Sequence, residues 1–388
     1  MDSSAQVVVI GGGIIGTAIT YYLAKRGVDV VLLEEDTLAS GTSGACSGAI
    51  TMQTKGVGTK LKLAMESKKM YRNLSDELGE DLEYQEDGSM IVAETEGELE
   101  HLHILHRKQQ KAGLGTELLE GKAVHEKQPA LSVKVIAASY CPTDGKVNPL
   151  KVTAGFAEGA RKNGAKLFRY TPAKRVETSK GKVKAVVTDS GKIKTDCVVN
   201  AAGIWAPRMA RELGLEIPIR PRRGILIVSE EVHPFIQGSI LSAKYLLAKY
   251  GTPPGREDTG SQSISGGLSL RFTKRGNLLF GSTREFVGEN RNSTYAGIVF
   301  VAREAVRILP IIKNIHFIRA FAGLRPATPD GLPILGPVDG LEGFIVAAGH
   351  EGDGISLSPI TGQLIADFIT EGRMPDSMND LKLSRFKQ

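Results

Sequence analysis

The sequence predicts an α/β protein in which a Rossmann-like dinucleotide-binding body is intertwined with an α+β body built on an antiparallel sheet. Three observations carry that expectation. The apolar β-branched run at 7–10 meets Gly11, Gly13 and Gly16 at G-x-G-x-x-G spacing, and good helix formers follow over 17–25. The chain comes back much later with a second short apolar run, 197–203, that reads as a buried parallel strand apart from Asn200. It comes back again with an apolar strand over 344–348, a glycine-bearing loop over 349–354 and a closing helix over 355–370. The stretches between these returns alternate strand and turn signals, as an antiparallel sheet would.

Composition narrows the classes of function. A chain of 388 residues, 41% hydrophobic and 24% charged, is long enough for two or three domains or one large intertwined body. The net charge of +6 is spread along the chain with no basic block, so nucleic acid is not an expected partner. No apolar run reaches the roughly 20 residues of a transmembrane segment. The first strand begins near residue 6, leaving no room for a signal peptide. Cys46, Cys141 and Cys197 lie far apart and none belongs to a C-x-x-C, so a reducing cytoplasm is the expected location.

In the first βαβ unit each glycine has a task. Gly11 allows the turn, Gly13 lets backbone approach a pyrophosphate, and Gly16 lets the helix pack on the strand. The helix N-terminus adds free N–H groups and partial positive charge for phosphates. Gly27 suits a helix C′ position. The second strand, 28–33, ends in Glu34, roughly 20 residues after the first glycine, where an acid accepts from ribose hydroxyls. Residues 39–50 are small and polar enough to lie against a flat ligand. Leu61, Met65, Tyr71, Leu74 and Leu78 recur at helical spacing across 58–78. Runs at 82–84 and 90–93 flank Asp87-Gly88, a hairpin signal. A polar helix over 98–111 carries His101, His103 and His106, none at i, i+4 spacing, so no metal site is expected. A strand over 135–140 closes on Pro142-Thr143-Asp144-Gly145. Asn148-Pro149 opens a helix to Lys162 as cap and first-turn proline. A strand over 166–170 follows, then hairpin arms at 174–178 and 183–188 turning at Lys180-Gly181. The second excursion starts near Pro218, with strands at 224–229 and 278–281 and a helix over 295–309 stopped by Pro310. Its polar stretch 251–267, rich in Gly, Pro and Ser, reads as a lid, a partner-docking loop or a surface loop.

After the G-x-G-x-x-G unit, VVNAAGIWA, FAGLRPATPDGLPILGP and VAAGHEGDGISLSP form an ordered set. Together they resemble the FAD-dependent D-amino-acid oxidase family over essentially the whole chain, in its glycine oxidase, sarcosine oxidase and amino-acid dehydrogenase branch. The spacing around IAASYCPTDGKVNPL is most similar to the flavin-bearing β subunit of heteromeric proline, hydroxyproline and opine dehydrogenases.

The resemblance implies FAD rather than NAD. It divides the chain into an FAD-binding domain of 1–80, 146–217 and 322–388 and a substrate-binding domain of 81–145 and 218–321. It carries Gly11, Gly13 and Gly16, with Ile14 and Ile15 beside them, onto the pyrophosphate, and Glu34 with Glu35 onto the adenosine ribose. Thr42 and Ser43 match positions near pyrophosphate and flavin, Val176 the residue bracketing adenine, and Ala202 and Gly203 the turn closing over the cofactor. Gly352, Asp353, Gly354 and Ile355 match the loop under the isoalloxazine, where a helix N-terminus favours negative charge on the flavin. Asp353 departs from a cationic setting and is expected to point away or cap the helix.

Arg325, in Gly323-Leu324-Arg325-Pro326, is the implied holder of a substrate carboxylate, a task its planar fork suits. Ser269, Arg271 and His350 are substrate-lining candidates, while Arg222 and Arg223 read as surface charges at a domain boundary. The implied reaction passes a hydride from the carbon bearing nitrogen to flavin N5, giving an imine, with no protein base required. The substrate is a small amino acid or amine: a D-amino acid, glycine or sarcosine, proline or hydroxyproline, or an opine. No late cysteine matches a covalent flavin attachment, so the FAD is non-covalent, and no oxygen-activating lysine can be placed, which favours a dehydrogenase over an oxidase. Cys46 falls where the proline dehydrogenase β subunit also has a cysteine. Two alternatives are a 2-hydroxy-acid or glycerol-phosphate dehydrogenase, and a flavin subunit inactive without iron–sulfur, electron-transferring partner subunits.

Overall fold

A computed structural model of the chain describes residues 3–250, 264–373 and 375–386. Two sheets organise it. In the first, of ten strands, Val7–Ile10 lies between Val30–Leu33 and Val198–Asn200, all parallel. Leu341–Ala348 continues the parallel set on one side and Lys166–Phe168 on the other. Val7–Ile10, Val30–Leu33 and Val198–Asn200 are buried along their whole length, which is why, Asn200 aside, they read as apolar runs rather than alternating ones. Helices Ile14–Lys25 and Gly354–Glu371 pack on each other beside this sheet. Gly362 permits the approach, since a Cβ there would stand 2.6 Å from the Tyr22 ring. The antiparallel flank is the hairpin Arg175–Ser179 and Lys182–Thr188, whose turn residues Lys180 and Gly181 both have positive φ, as a tight hairpin requires.

The second sheet has eight strands, in the order Phe317–Ala327, Arg220–Glu231, Asn277–Arg284, Ser265–Phe272, Ser239–Ser242, Ser89–Ala93, Ala137–Cys141 and Glu117–Glu120. All its pairings are antiparallel except Ser239–Ser242 with Ser89–Ala93. Leu270, Phe280 and Ile227 pack with Val301 and Ala305 of the helix Tyr295–Ile308 into its core. Phe317–Ala327 stays in this sheet along its length, across the expected division at 321/322, and carries Arg325 near its end.

The expected hairpin across Asp87-Gly88 does not form. Residues 82–84 make no strand, and Ser89–Ala93 pairs instead with Ser239–Ser242 and Ala137–Cys141. A central position, with hydrogen bonds on both sides, outcompetes one local partner. Asn148 caps the helix Pro149–Lys162 as its spacing indicates, accepting from Leu150 N at 3.1 Å. Of the polar stretch 251–267, residues 251–263 lie outside the described residues. Among the described residues no helix is long and apolar enough to cross a membrane. No three His, Cys, Asp or Glu side chains among them group to hold a metal; His106 instead bonds the Thr116 hydroxyl at 2.8 Å.

Candidate active site

A cavity of about 640 Å³ opens at the carboxyl ends of the parallel strands, where ligands bind in open α/β sheets, and runs beneath the second sheet. Gly11, Gly13, Glu34 and Ser43 line one end; Ser269, Ser282, Arg325 and Gly352 line the other.

The first end is built from backbone. Gly11 has φ +110°, and a Cβ there would lie 2.7 Å from the Ala201 carbonyl oxygen. A Cβ on Gly16 would lie 1.9 Å from the Gly11 carbonyl oxygen, so strand and helix meet there with no room for a side chain. No side chain of Gly13 caps the helix; Ser43 Oγ accepts from Ile14 N at 2.9 Å instead. Glu34 is fixed at the rim by accepting from Gly12 N at 2.6 Å and from Asp36 N at 2.8 Å. Thr42 donates its hydroxyl to the Leu324 carbonyl, tying the small-residue loop to the strand of Arg325. Ile15, Glu35, Ala202 and Gly203 also line the cavity. Val176 does not: it is buried in the hairpin, and Pro172, Ala173 and Lys174 line the cavity in its place. Trp205, which no spacing singled out, lines the cavity beside Gly41 and carries Arg291 over its ring at 5.0 Å.

The second end is built from charge. Arg325 donates from Nη1 to the Thr283 carbonyl at 3.1 Å and from Nη2 to Ser282 Oγ at 2.6 Å. Gly224 makes room for it, since a Cβ there would stand 2.1 Å from Nη2. Among the described residues Arg325 has no carboxylate ion pair. Burial, and then the charge of Arg284, lower its pKa to about 10. Glu351 beside it accepts from Arg222, from Arg284 at 2.7 Å and from Gly352 N at 2.5 Å. Burial alone would raise its pKa, but the arginines hold its carboxyl well below the usual range.

Arg222 and Arg223 are therefore not surface charges. Arg222 pairs with Glu351, and Arg223 is buried on Glu285 at 2.8 Å. Both sit in a strand flanked on each side by another, and their acids lie far away in sequence. Of the two alternatives for Asp353, pointing away or capping the helix, the structure has the first: its side chain is absent from the cavity wall. Its side chain makes no capping bond and instead takes Lys55 at 2.9 Å, Lys60 at 2.5 Å and Lys249 at 3.0 Å. Against the raising effect of burial, these ammonium groups keep it ionised, while burial pushes the Lys55 pKa down. Its neighbours Gly352, Gly354 and Ile355 line the cavity.

His350 lines the cavity and has Nε2 3.2 Å from Thr361 Oγ1; burial, with the Lys60 charge, lowers its pKa to about 3, so the ring is neutral. Ser269 faces the cavity, with Arg271 behind it rather than on the wall. Cys46 lines the cavity as a thiol, burial raising its pKa to about 11. Tyr245, on the helix Ala243–Tyr250, is a wall residue with no sequence signal, because its neighbours there come from elsewhere in the chain. The Arg284 guanidinium lies 4.8 Å from its ring centre. Burial would raise the phenol pKa, but Arg284, Lys249 and Arg325 outweigh it and lower it.

A glycine cradle that any Cβ would fill, a rim carboxylate and a long cavity fit a dinucleotide, and the far end, rich in guanidinium, fits an anionic reactant. The class so defined is a dinucleotide-binding protein that takes an anionic ligand at the far end of the cavity. The chain belongs to the DAO family of FAD-dependent oxidoreductases, whose model matches residues 6–368. It is 29% identical to a glycine oxidase of Geobacillus kaustophilus over 99% of this chain and 98% of that protein. It is 27% identical to the hydrogen cyanide synthase subunit HcnC of Pseudomonas protegens, over 98% of this chain and 96% of that one. The crystal structure of L-proline dehydrogenase from P. horikoshii superposes with a TM-score of 0.89 at 29% identity, covering 100% of this chain and 99% of the other. The protein is an FAD-dependent enzyme of this family.

Proposed function

We propose that the enzyme oxidises the carbon–nitrogen bond of a small amino acid or secondary amine whose carboxylate binds Arg325. The substrate is a D-amino acid, glycine or sarcosine, proline or hydroxyproline, or an opine. One observation carries this reading. A guanidinium at the cavity wall, in no direct ion pair among the described residues and sharing the field of Glu351 with Arg222 and Arg284, is short of one anion, and a planar carboxylate matches it. The names of the glycine oxidase and the L-proline dehydrogenase support the same substrate class.

FAD, when bound, accepts the hydride at N5, and the substrate leaves as an imine that water hydrolyses. In this reading Gly11, Gly13, Ile14, Ile15 and Gly16 hold the pyrophosphate, Glu34 and Glu35 the ribose side, and Thr42, Ser43, Ala202 and Gly203 the middle of the cofactor. The body on the ten-stranded sheet is the cofactor domain, and the body on the eight-stranded sheet is the substrate domain. Arg325 orients the reactant, and the neutral His350 takes no proton at neutral pH. Cys46, protonated and with its Sγ 3.2 Å from the Ser43 carbonyl, is a poor attaching group, in keeping with non-covalent FAD. The three cysteines are free, which suits a reducing cytoplasm. HcnC is by name a subunit, which favours an assembly with partner subunits; iron–sulfur, electron-transferring subunits are the partners proposed here.

The test is anaerobic bleaching of the bound flavin by a panel of amino acids, set against 2-hydroxy acids and glycerol phosphate, followed by oxygen uptake. Bleaching by amino acids is the expected result. Bleaching by hydroxy acids or glycerol phosphate alone would overturn the reading.

A further inference from the structure

The substrate end of the cavity carries more buried positive charge than one carboxylate can balance. Arg222, Arg284 and Arg325 face a single acid, Glu351, and a fourth arginine stands behind the same wall. That residue, Arg271, is 2% exposed. Among the described residues it has no carboxylate ion pair, and its Nε has no hydrogen-bond partner. Its two bonds are Nη1 to the Ser47 carbonyl at 3.2 Å and Nη2 to Ser269 Oγ at 3.0 Å. Asp87, the acid whose charge it feels, is engaged by Lys146 at 2.7 Å. A buried cation left uncompensated is costly unless the site is completed by an anion.

The arrangement repeats that of Arg325. In each case a guanidinium Nη2 donates to a serine oxygen, Arg325 to Ser282 and Arg271 to Ser269, and both serines line the cavity. A hydroxyl whose oxygen accepts from a cation keeps its own proton free to donate, and the cation polarises that O–H bond. Ser269 pairs with Gly281, the neighbour of Ser282, so the two serines stand on adjacent strands and both line the cavity.

We propose that the substrate carries two carboxylates: one binds Arg325, and the other binds the Ser269 hydroxyl backed by Arg271, so the preferred reactants are dicarboxylic amino acids or amines bearing two carboxyalkyl arms. This rests on the amine-oxidising reading for the chemistry, but the second anion subsite can be tested without turnover. In the FAD-loaded protein, succinate and glutarate are titrated against butyrate and valerate by perturbation of the flavin absorbance. The diacids are expected to bind at least roughly tenfold tighter than the matching monoacids, the worth of one charge-assisted hydrogen bond. Arg271→Met and, independently, Ser269→Ala are each expected to bring that ratio close to one, an effect that a general loss of packing would not produce. Equal binding of diacid and monoacid by the unaltered protein overturns the proposal, and so does a ratio that survives both substitutions. The proposal on chemistry fails separately, if aspartate, glutamate and iminodiacetate leave the flavin oxidised while hydroxy diacids bleach it.

Discussion

The two ends of the cavity recognise by different physics. The glycine end uses backbone N–H groups, a bare turn and one rim carboxylate, all drawn from residues 11–43. The reacting end uses guanidinium groups, one carboxylate and one phenol drawn from segments near 222, 245, 271, 284, 325 and 351, which meet only in the folded chain. A backbone cradle suits a cofactor that never changes, because it depends on shape and little on side-chain identity. Paired charges suit a reactant, because exchanging one residue changes which anion is accepted.

The sharpest way to break this contrast is Gly16→Val. With even a Cβ only 1.9 Å from the Gly11 carbonyl oxygen, the cradle cannot close, and the variant is expected to purify without flavin or not at all. Normal flavin content, read from the absorbance spectrum, would show that the cradle is not built from close backbone packing. Arg325→Met should do the reverse, keeping the flavin while lowering kcat/KM by about 10²–10³, the range for truncating one side of a buried charged contact. Steady-state assays with the best substrate from the panel decide it.

Asp353→Asn comes next. It leaves Lys55, Lys60 and Lys249 buried without their acid, at a cost of about 3–5 kcal/mol in a denaturant titration at pH 7. The native carboxyl lies below its ordinary value, so its stabilisation is present above the unfolded pKa of about 3.9 and is lost as pH falls through the native one. The gap between variant and parent should therefore narrow below about pH 4. The smallest effect is expected from His350→Gln. With the native pKa lowered to about 3, the unfolded state takes up the proton first, and the parent loses stability as pH falls from about 6.5. The variant should match the parent within about 1 kcal/mol at pH 7 and lose less between pH 6.5 and 5. A steeper acid loss in the variant would reverse the assignment of a neutral ring.

The same contrast explains what could be read before folding. The parallel strands, the cap at Asn148 and the glycine turn each depend on residues within one or two dozen positions, and periodicity and spacing report them. Arg325 stood out only through the motif around it. The partners of Arg222, Arg223 and Asp353 did not, because an ion pair between residues 222 and 351, or 55 and 353, leaves no local pattern. Tyr245 was hidden for the same reason: its helix meets the wall only after the strand Ser239–Ser242 has joined the second sheet. The false hairpin at Asp87-Gly88 was the opposite error, a good local turn overridden by distant strands.

Gly224 has no charge, no donor beyond its backbone and no place in any motif, yet it decides whether Arg325 can lie where it does. A single added methyl group at 224 would evict the guanidinium while leaving every charged residue of the pocket in the sequence. Among relatives, an intact GLRP motif is therefore an incomplete warrant for acid binding, and the residue facing it across the neighbouring strand has to be read as its second half.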